Sequence, residues 1–264
     1  MLTLHDACHR RGMPLDPSRH LAAIRSESDR LATVAREVPS DARVPTCPDW
    51  TVADLVRHIG GVQYWVAATV ERRAKERIPF SEVPQPPQDQ GAVIDWFAAA
   101  TGSLLIALEE AGPDELAWNF AKGPDQPVRW WYRRQAAEVA VHRQDAEAAA
   151  ATADPLAGLD PEVAADALDE LLVDFLPFIA GAKVGGWNDE SIHVHRTDGE
   201  GEWLLRLYAD GKVDCAHEHG KGDVAVRGSS AALLAWASNR ALAESLEVHG
   251  DVSLLDRWRD AVRM

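Results

Sequence analysis

Pro45-Thr46-Cys47-Pro48-Asp49-Trp50-Thr51-Val52-Ala53-Asp54-Leu55-Val56-Arg57-His58-Ile59 decides how the first half of the chain reads. Its two prolines keep the opening out of a helix, so Pro45 to Trp50 reads as a loop. Thr51 then stands as an N-cap with Asp54 three positions on, a capping box with Asp in the place of Glu. Beyond the cap, Leu55, Ile59 and Val62 recur at helical spacing, and the helix is expected to run to about Arg77. His58 lies among these apolar positions and projects toward the core, where an imidazole must find a polar partner.

Working outward, three more helices follow. Asp16-Pro17 opens the first, which Leu21, Ile24, Leu31, Val34 and Ala35 carry to about Val38 before Pro39 stops it. The Pro- and Gln-rich stretch from Pro79 to Gly91 separates the second from a third, about Ala92 to Ala111, ended by Gly112-Pro113. A fourth starts near Val128 and runs through Trp131, Ala137, Val141 and Ala148 to about Ala151. Four helices of ~20 residues are each ~30 Å long, enough for an antiparallel bundle. Trp65, Trp96, Trp131 and Trp236 fall on apolar helical stripes and read as core.

A linker with two prolines and a glycine, Ala153 to Pro161, then changes the pattern. One more helix from Glu162 to about Ala180 precedes alternating tracts at Ser191–Arg196, Glu202–Tyr208, Val213–His217 and Asp223–Arg227. Asp198-Gly199 and Asp210-Gly211 between successive tracts are hairpin signals, so these strands are expected to form a meander. Helical regions from Ser230 to Arg240 and from Leu254 to Val262 would cover one face of it. The expected fold class is α+β, with a loose tail over 1–14, a helical bundle over 15–153 and a small α+β domain over 160–264.

Composition excludes several function classes. The 264 residues carry 27 basic and 42 acidic side chains, a net charge of −15 that repels phosphate backbones and anionic lipid, so no nucleic-acid partner is expected. The longest charge-free apolar tract, Trp96 to Leu108, is shorter than the ~18 residues of a spanning helix, and no membrane association is expected. Met1 to Pro14 lacks the apolar core of a signal peptide. Cys8, Cys47 and Cys215, odd in number and scattered, suit reduced thiols in a cytoplasm. Gly181-Ala182-Lys183-Val184-Gly185-Gly186 lacks the ending of a phosphate loop, no dinucleotide fingerprint occurs, and Gly228-Ser229-Ser230 is not a nucleophile elbow. Arginine outnumbers lysine, and with the alanine runs this points to a GC-rich bacterial genome.

The chemistry-bearing pattern that remains is Glu138 and His142, four apart on the fourth helix. Residues at this spacing share a helical face, so carboxylate and imidazole can aim at one point, as a metal pair or as an ordinary solvated pair. His58, inward on a second helix of the same bundle, supplies a third donor of the kind bundle metal sites use. Other residues carry weaker patterns. Cys47 is either a thiol in the field of the helix start or a small buried hydrophobe. Cys215, His217 and His219 alternate on one tract and His193 and His195 on another, a conceivable second metal site with no closing ligand evident. Arg133 and Arg134 precede Glu138 by about a turn, and Arg240 at the end of its helical region is the candidate to meet a substrate anion, facing the metal across the domain junction.

Val44 to Gly60, with its Pro-Thr-Cys-Pro-Asp-Trp-Thr opening and His58, followed by Glu138-Val139-Ala140-Val141-His142-Arg143-Gln144-Asp145, resembles the mycothiol-dependent maleylpyruvate isomerase family, a branch of the DinB-like metal-binding bundles. His193 to Asp198, Glu202 to Arg206, Asp223 to Gly228 and Leu246 to Asp251 resemble that family's smaller, sterol-carrier-like C-terminal domain. Gln144 departs from the pattern, since relatives often carry tryptophan there. The resemblance implies a cytoplasmic, actinobacterial enzyme that holds a divalent metal, usually zinc, through His58, Glu138 and His142, and that uses mycothiol. Two neutral imidazoles and one carboxylate leave a zinc site one open position, the layout of a catalytic centre. A thiol entering it loses its proton and can add reversibly to a double bond, an isomerisation, or displace a group and stay, an S-transfer. Its partners would be that thiol and a small electrophile. The same residues also fit a zinc-dependent hydrolase, or a non-catalytic protein that binds metal and an apolar ligand; oligomeric state is not legible.

Overall fold

The computed structural model describes residues 15–121, 126–150, 158–179 and 187–262. The expected tail, residues 1–14, and residues 151–157 of the expected linker lie outside them. The chain divides into two compact units, Asp16–Val163 and a second that starts at Ala164.

The first unit is the helical bundle. Helix α1 (Pro17–Glu37) starts with proline in its first turn and Asp16 accepting from the Ser18 amide; α2 (Val52–Glu71), α3 (Gln90–Ala111) and α4 (Arg129–Ala149) complete the four. Helix α2 packs chiefly on α3, and α1 on α4. The capping box on α2 forms as read: the Asp54 amide donates to Thr51 Oγ1, and the Thr51 amide to Asp54 Oδ2. Helix α3 ends at Gly112, whose φ of 73° suits a residue without Cβ. Taken over its full length, α3 is apolar and long enough to cross a membrane, which the tract from Trp96 to Leu108 understated. Here it turns Phe97, Ala100, Leu104 and Leu108 into the bundle core.

Two expectations for this unit need correction. The prolines of Pro45 to Trp50 do not leave a loop: strands β1 (Arg43–Val44) and β2 (Cys47–Thr51) form a small antiparallel hairpin. Its pairing is extended by the Val52 amide donating to Ala42 O and the Ala53 amide to Ser40 O, so the turn is tied to the start of α2. Helix α2 also stops at Glu71, not Arg77. Arg73 takes a left-handed φ of 46°, and the chain beyond it folds back, with Trp65 Nε1 donating to Ile78 O and the Trp118 amide to Ala74 O.

A buried ion network joins α1 to α4. Arg143 is wholly buried; its Nε donates to Glu27 Oε2 at 2.7 Å and its Nη1 to Glu147, whose other oxygen takes Arg30 at 2.9 Å. Burying such charges is expensive and their mutual attraction offsets much of that cost, so removing one partner would leave an uncompensated buried charge and be strongly destabilising.

The second unit begins within α5 (Pro161–Asp169), which runs through a π-helical turn, Glu170–Phe175, into α6 (Leu176–Ile179). Pro177 has no N–H for the carbonyl one turn back, and the helix widens just before it. The sheet contains β3 (Glu190–Arg196), β4 (Glu202–Leu207), β5 (Val213–Ala216), β6 (Val224–Gly228) and β7 (Glu247–Gly250), in the order β5-β4-β3-β6-β7. It is therefore not a simple meander. Strands β3, β4 and β5 follow one another antiparallel, but β6 crosses to the far edge of β3 and pairs parallel with it. That placement covers the second edge of β3, whose Ile192 and Val194 are fully buried, with Val224 and Val226. Asp223 secures the crossover by accepting from the Ser191 amide and hydroxyl. Strand β7, formed by Glu247 to Gly250, was not read as a strand, because four residues with one half-buried valine give too short an alternation. Helices α7 (Ser230–Ala237) and α8 (Ser253–Ala261) complete the unit, with Trp236 stacked on Trp258.

Candidate metal centre in the bundle

The capping box sets where α2 begins and so fixes the height of His58, seven residues further on. One turn of α4 sets Glu138 beneath His142. Together they bring three donors from two helices to one place: Glu138 Oε1 lies 3.3 Å from His58 Nε2 and 3.5 Å from His142 Nε2, and all three donor atoms fall within 4.8 Å of one another. Donors about 2.0–2.2 Å from a tetrahedral zinc ion stand roughly 3.4 Å apart, so the set fits a divalent transition metal without rebuilding the backbone.

The surroundings prepare each donor. His142 presents Nε2 because its Nδ1 faces Asp145 Oδ2 at 2.8 Å, and Asp145 is fully buried. Asp145 is held in turn by Thr46 Oγ1, which donates to Oδ1 at 2.6 Å, while Cys47 Sγ sits 3.7 Å from Oδ2. The hairpin thus serves as a clamp on the residue that orients a histidine. Glu138 pairs through Oε2 with Arg134, leaving Oε1 directed at the imidazoles. Burial pushes the His58 pKa down to about 4, with the positive charges of His142 and Arg134 adding to it, so this ring is the neutral form that a metal needs. The Trp50 ring closes one side, 4.8 Å from the His58 ring and stacked on that of His142 at 6.0 Å.

Sequence reasoning singled out the three donors but missed Asp145, Thr46 and Trp50 as members of the site. Asp145 carries a usable signal, being three positions after His142 on the same helical face. Thr46 and Trp50 carry none, since their roles depend on the hairpin. Of the two arginines, Arg134 rather than Arg133 meets Glu138. Gln144 is buried, and neither of its amide atoms has a hydrogen-bond partner among the described residues.

Residues 21–147 match the family model described as the mycothiol maleylpyruvate isomerase N-terminal domain, and residues 162–257 match that family's C-terminal domain. The chain belongs to the mycothiol-dependent maleylpyruvate isomerase family. Two solved structures, of the mycothiol-dependent maleylpyruvate isomerase and of a histidine-to-alanine mutant of it, superpose with a TM-score of 0.63 over 96% of this chain and 98% of theirs. Identity is 15% and 14%, so the likeness to these isomerase structures is one of fold. No curated protein matches the chain by sequence.

The remaining candidates of this family member fall in the second unit. Helix α7 ends at Ala237, because Asn239 turns left-handed at φ 61° and the Arg240 amide reaches back to Ala235 O. Arg240 therefore lies beyond the helix and not in its last turn; its Nη1 donates to Ser238 O at 2.6 Å. Cys215, His217 and His219 do not converge. Cys215 stands opposite Leu205 on the apolar face of the sheet, where burial and then Asp169 and Asp174 raise its thiol pKa far above the usual range. His217 pairs with Asp169, which also accepts from Trp203 Nε1, whereas His219 faces Glu202. A cavity of about 310 Å³, lined by Trp236, Leu242, Leu246, Val248 and Leu255 among others, contains none of these histidines.

Proposed function

We propose that this protein is a zinc-dependent enzyme that uses mycothiol, with His58 Nε2, Glu138 Oε1 and His142 Nε2 holding the metal and a small electrophile undergoing isomerisation or S-transfer. The convergence of these three donors from two helices carries the reading. When bound, a divalent zinc ion supplies the positive charge that favours the thiolate form of a thiol near neutral pH. The chain's own residues do the rest. Asp145 keeps His142 in the tautomer that presents Nε2, and Arg134 offsets the charge of Glu138 and restricts its rotation. The indole of Trp50 covers both imidazoles on one side and keeps water from them there. For Arg240 the proposed role is to contact a substrate anion, on the chemistry of its guanidinium.

Cobalt substitution tests the reading. Adding mycothiol to the cobalt-loaded protein is expected to produce an intense near-ultraviolet charge-transfer band, absent from the His58→Ala variant. A cobalt spectrum unmoved by any thiol would overturn thiol use and leave hydrolysis or simple ligand binding.

A further inference from the structure

The second unit holds another group of metal-type donors. His193 and His195 are two apart on β3, so both side chains leave the same face of the sheet. On β4, which runs antiparallel beside it, Glu202 stands directly opposite His195. His193 Nε2 lies 3.0 Å from Glu202 Oε2, and His195 Nδ1 3.0 Å from Oε1. The connection from β5 to β6 then passes over this face so closely that a Cβ on Gly220 would stand 2.8 Å from Cδ2 of Leu204, the residue opposite His193. It delivers His219, whose Nδ1 is 2.5 Å from Glu202 Oε2 and whose ring meets that of His193 edge-on at 5.5 Å.

We propose that His193, His195, Glu202 and His219 form a second divalent-metal site, separate from the bundle centre. Three imidazoles and one carboxylate make a four-donor set of the class that Zn²⁺, Co²⁺, Ni²⁺ and Cu²⁺ favour. The donor atoms of His193, His195 and Glu202 already lie within 4.8 Å of one another, while tetrahedral coordination needs about 3.4 Å. Small side-chain rotations close that difference. His193 is buried and His219 largely exposed, so the site has a fixed floor and an open entrance. All four donors belong to one unit, and an ion there would fasten the segment from His217 to Gly222 onto the sheet. Its role would be structural or sensory, since four protein donors fill a tetrahedron.

The test uses full-length protein without a histidine tag, stripped by chelator, and Co²⁺ as the probe. The His58→Ala/His142→Ala double variant removes two of the three bundle donors and is expected to keep one equivalent of Co²⁺, seen as visible d–d absorption. Adding His219→Ala, an exposed change that leaves the fold intact by circular dichroism, should weaken that binding about tenfold or more. Adding His193→Ala should abolish it. Absence of Co²⁺ binding by the folded double variant, or binding that His219→Ala leaves unchanged, would overturn the second site. Wild-type stoichiometry separates the two readings: a single equivalent lost with His58→Ala removes this site and keeps the bundle centre, and a single equivalent lost with His193→Ala does the reverse.

Discussion

Two of the candidate donors at the bundle centre are oriented by a carboxylate or guanidinium neighbour, Asp145 for His142 and Arg134 for Glu138. Asp145 fixes the tautomer of His142 through a 2.8 Å contact while standing outside the donor set. Asp145→Asn is expected to lower zinc affinity about 10–100-fold without changing stoichiometry, by competition against a chromophoric chelator. Unchanged affinity would mean that Asp145 only braces the hairpin. His58 gives a pH dependence. Its folded pKa of about 4 lies below the ordinary 6.5, so between those values the unfolded chain takes up a proton that the folded chain refuses. In metal-free protein the contribution of His58 is therefore complete above about pH 6.5, declines as pH falls toward 4, and is constant below that. Urea unfolding of wild type against His58→Asn should show this slope in the difference alone. The donors themselves were legible from the four-residue spacing of Glu138 and His142, from a histidine among the apolar positions of another helix, and from the family resemblance of both tracts. Trp50 and Thr46 were not, since a tryptophan just before a helix cap and a threonine in a turn have many ordinary explanations.

Elements were legible where a local rule governs them. The start of α2 follows from Thr51 and Asp54, and the end of α3 from Gly112, because caps are satisfied within one turn of chain. The hairpin at Arg43–Thr51, the early end of α2 and the parallel pairing of β6 with β3 were not, because each is stabilised by partners outside its own segment. Contact between α2 and α3 can be tested at Gly60, where an added Cβ would overlap the Trp96 ring. Gly60→Ala, although it raises helix propensity, is expected to destabilise the bundle by about 1–3 kcal/mol as α3 is displaced. Chemical denaturation checks this, and a neutral or stabilising result would show that the indole can move aside.

At the scale of the molecule, two units with their own cores imply two unfolding transitions. If the bundle holds zinc as proposed, the ion at about 100 times its Kd would stabilise that unit by roughly 2.7 kcal/mol. Calorimetry of zinc-loaded protein should therefore show His58→Ala lowering one transition and sparing the other; a single transition lowered as a whole would contradict this. By itself the sequence determined that Glu138 and His142 share a helical face, that His58 is a third donor-type residue on another helix, and that a helical half precedes a mixed half. These depend on periodicity and on interactions within a turn of chain, where neighbours in sequence are neighbours in space. Only the tertiary structure decided that His58 meets Glu138 across 80 residues, that Thr46 reaches Asp145 across 99, and that Glu202 closes the histidine group of the sheet. Such meetings follow from how whole faces pack and how strands choose their partners, and no local period records that choice.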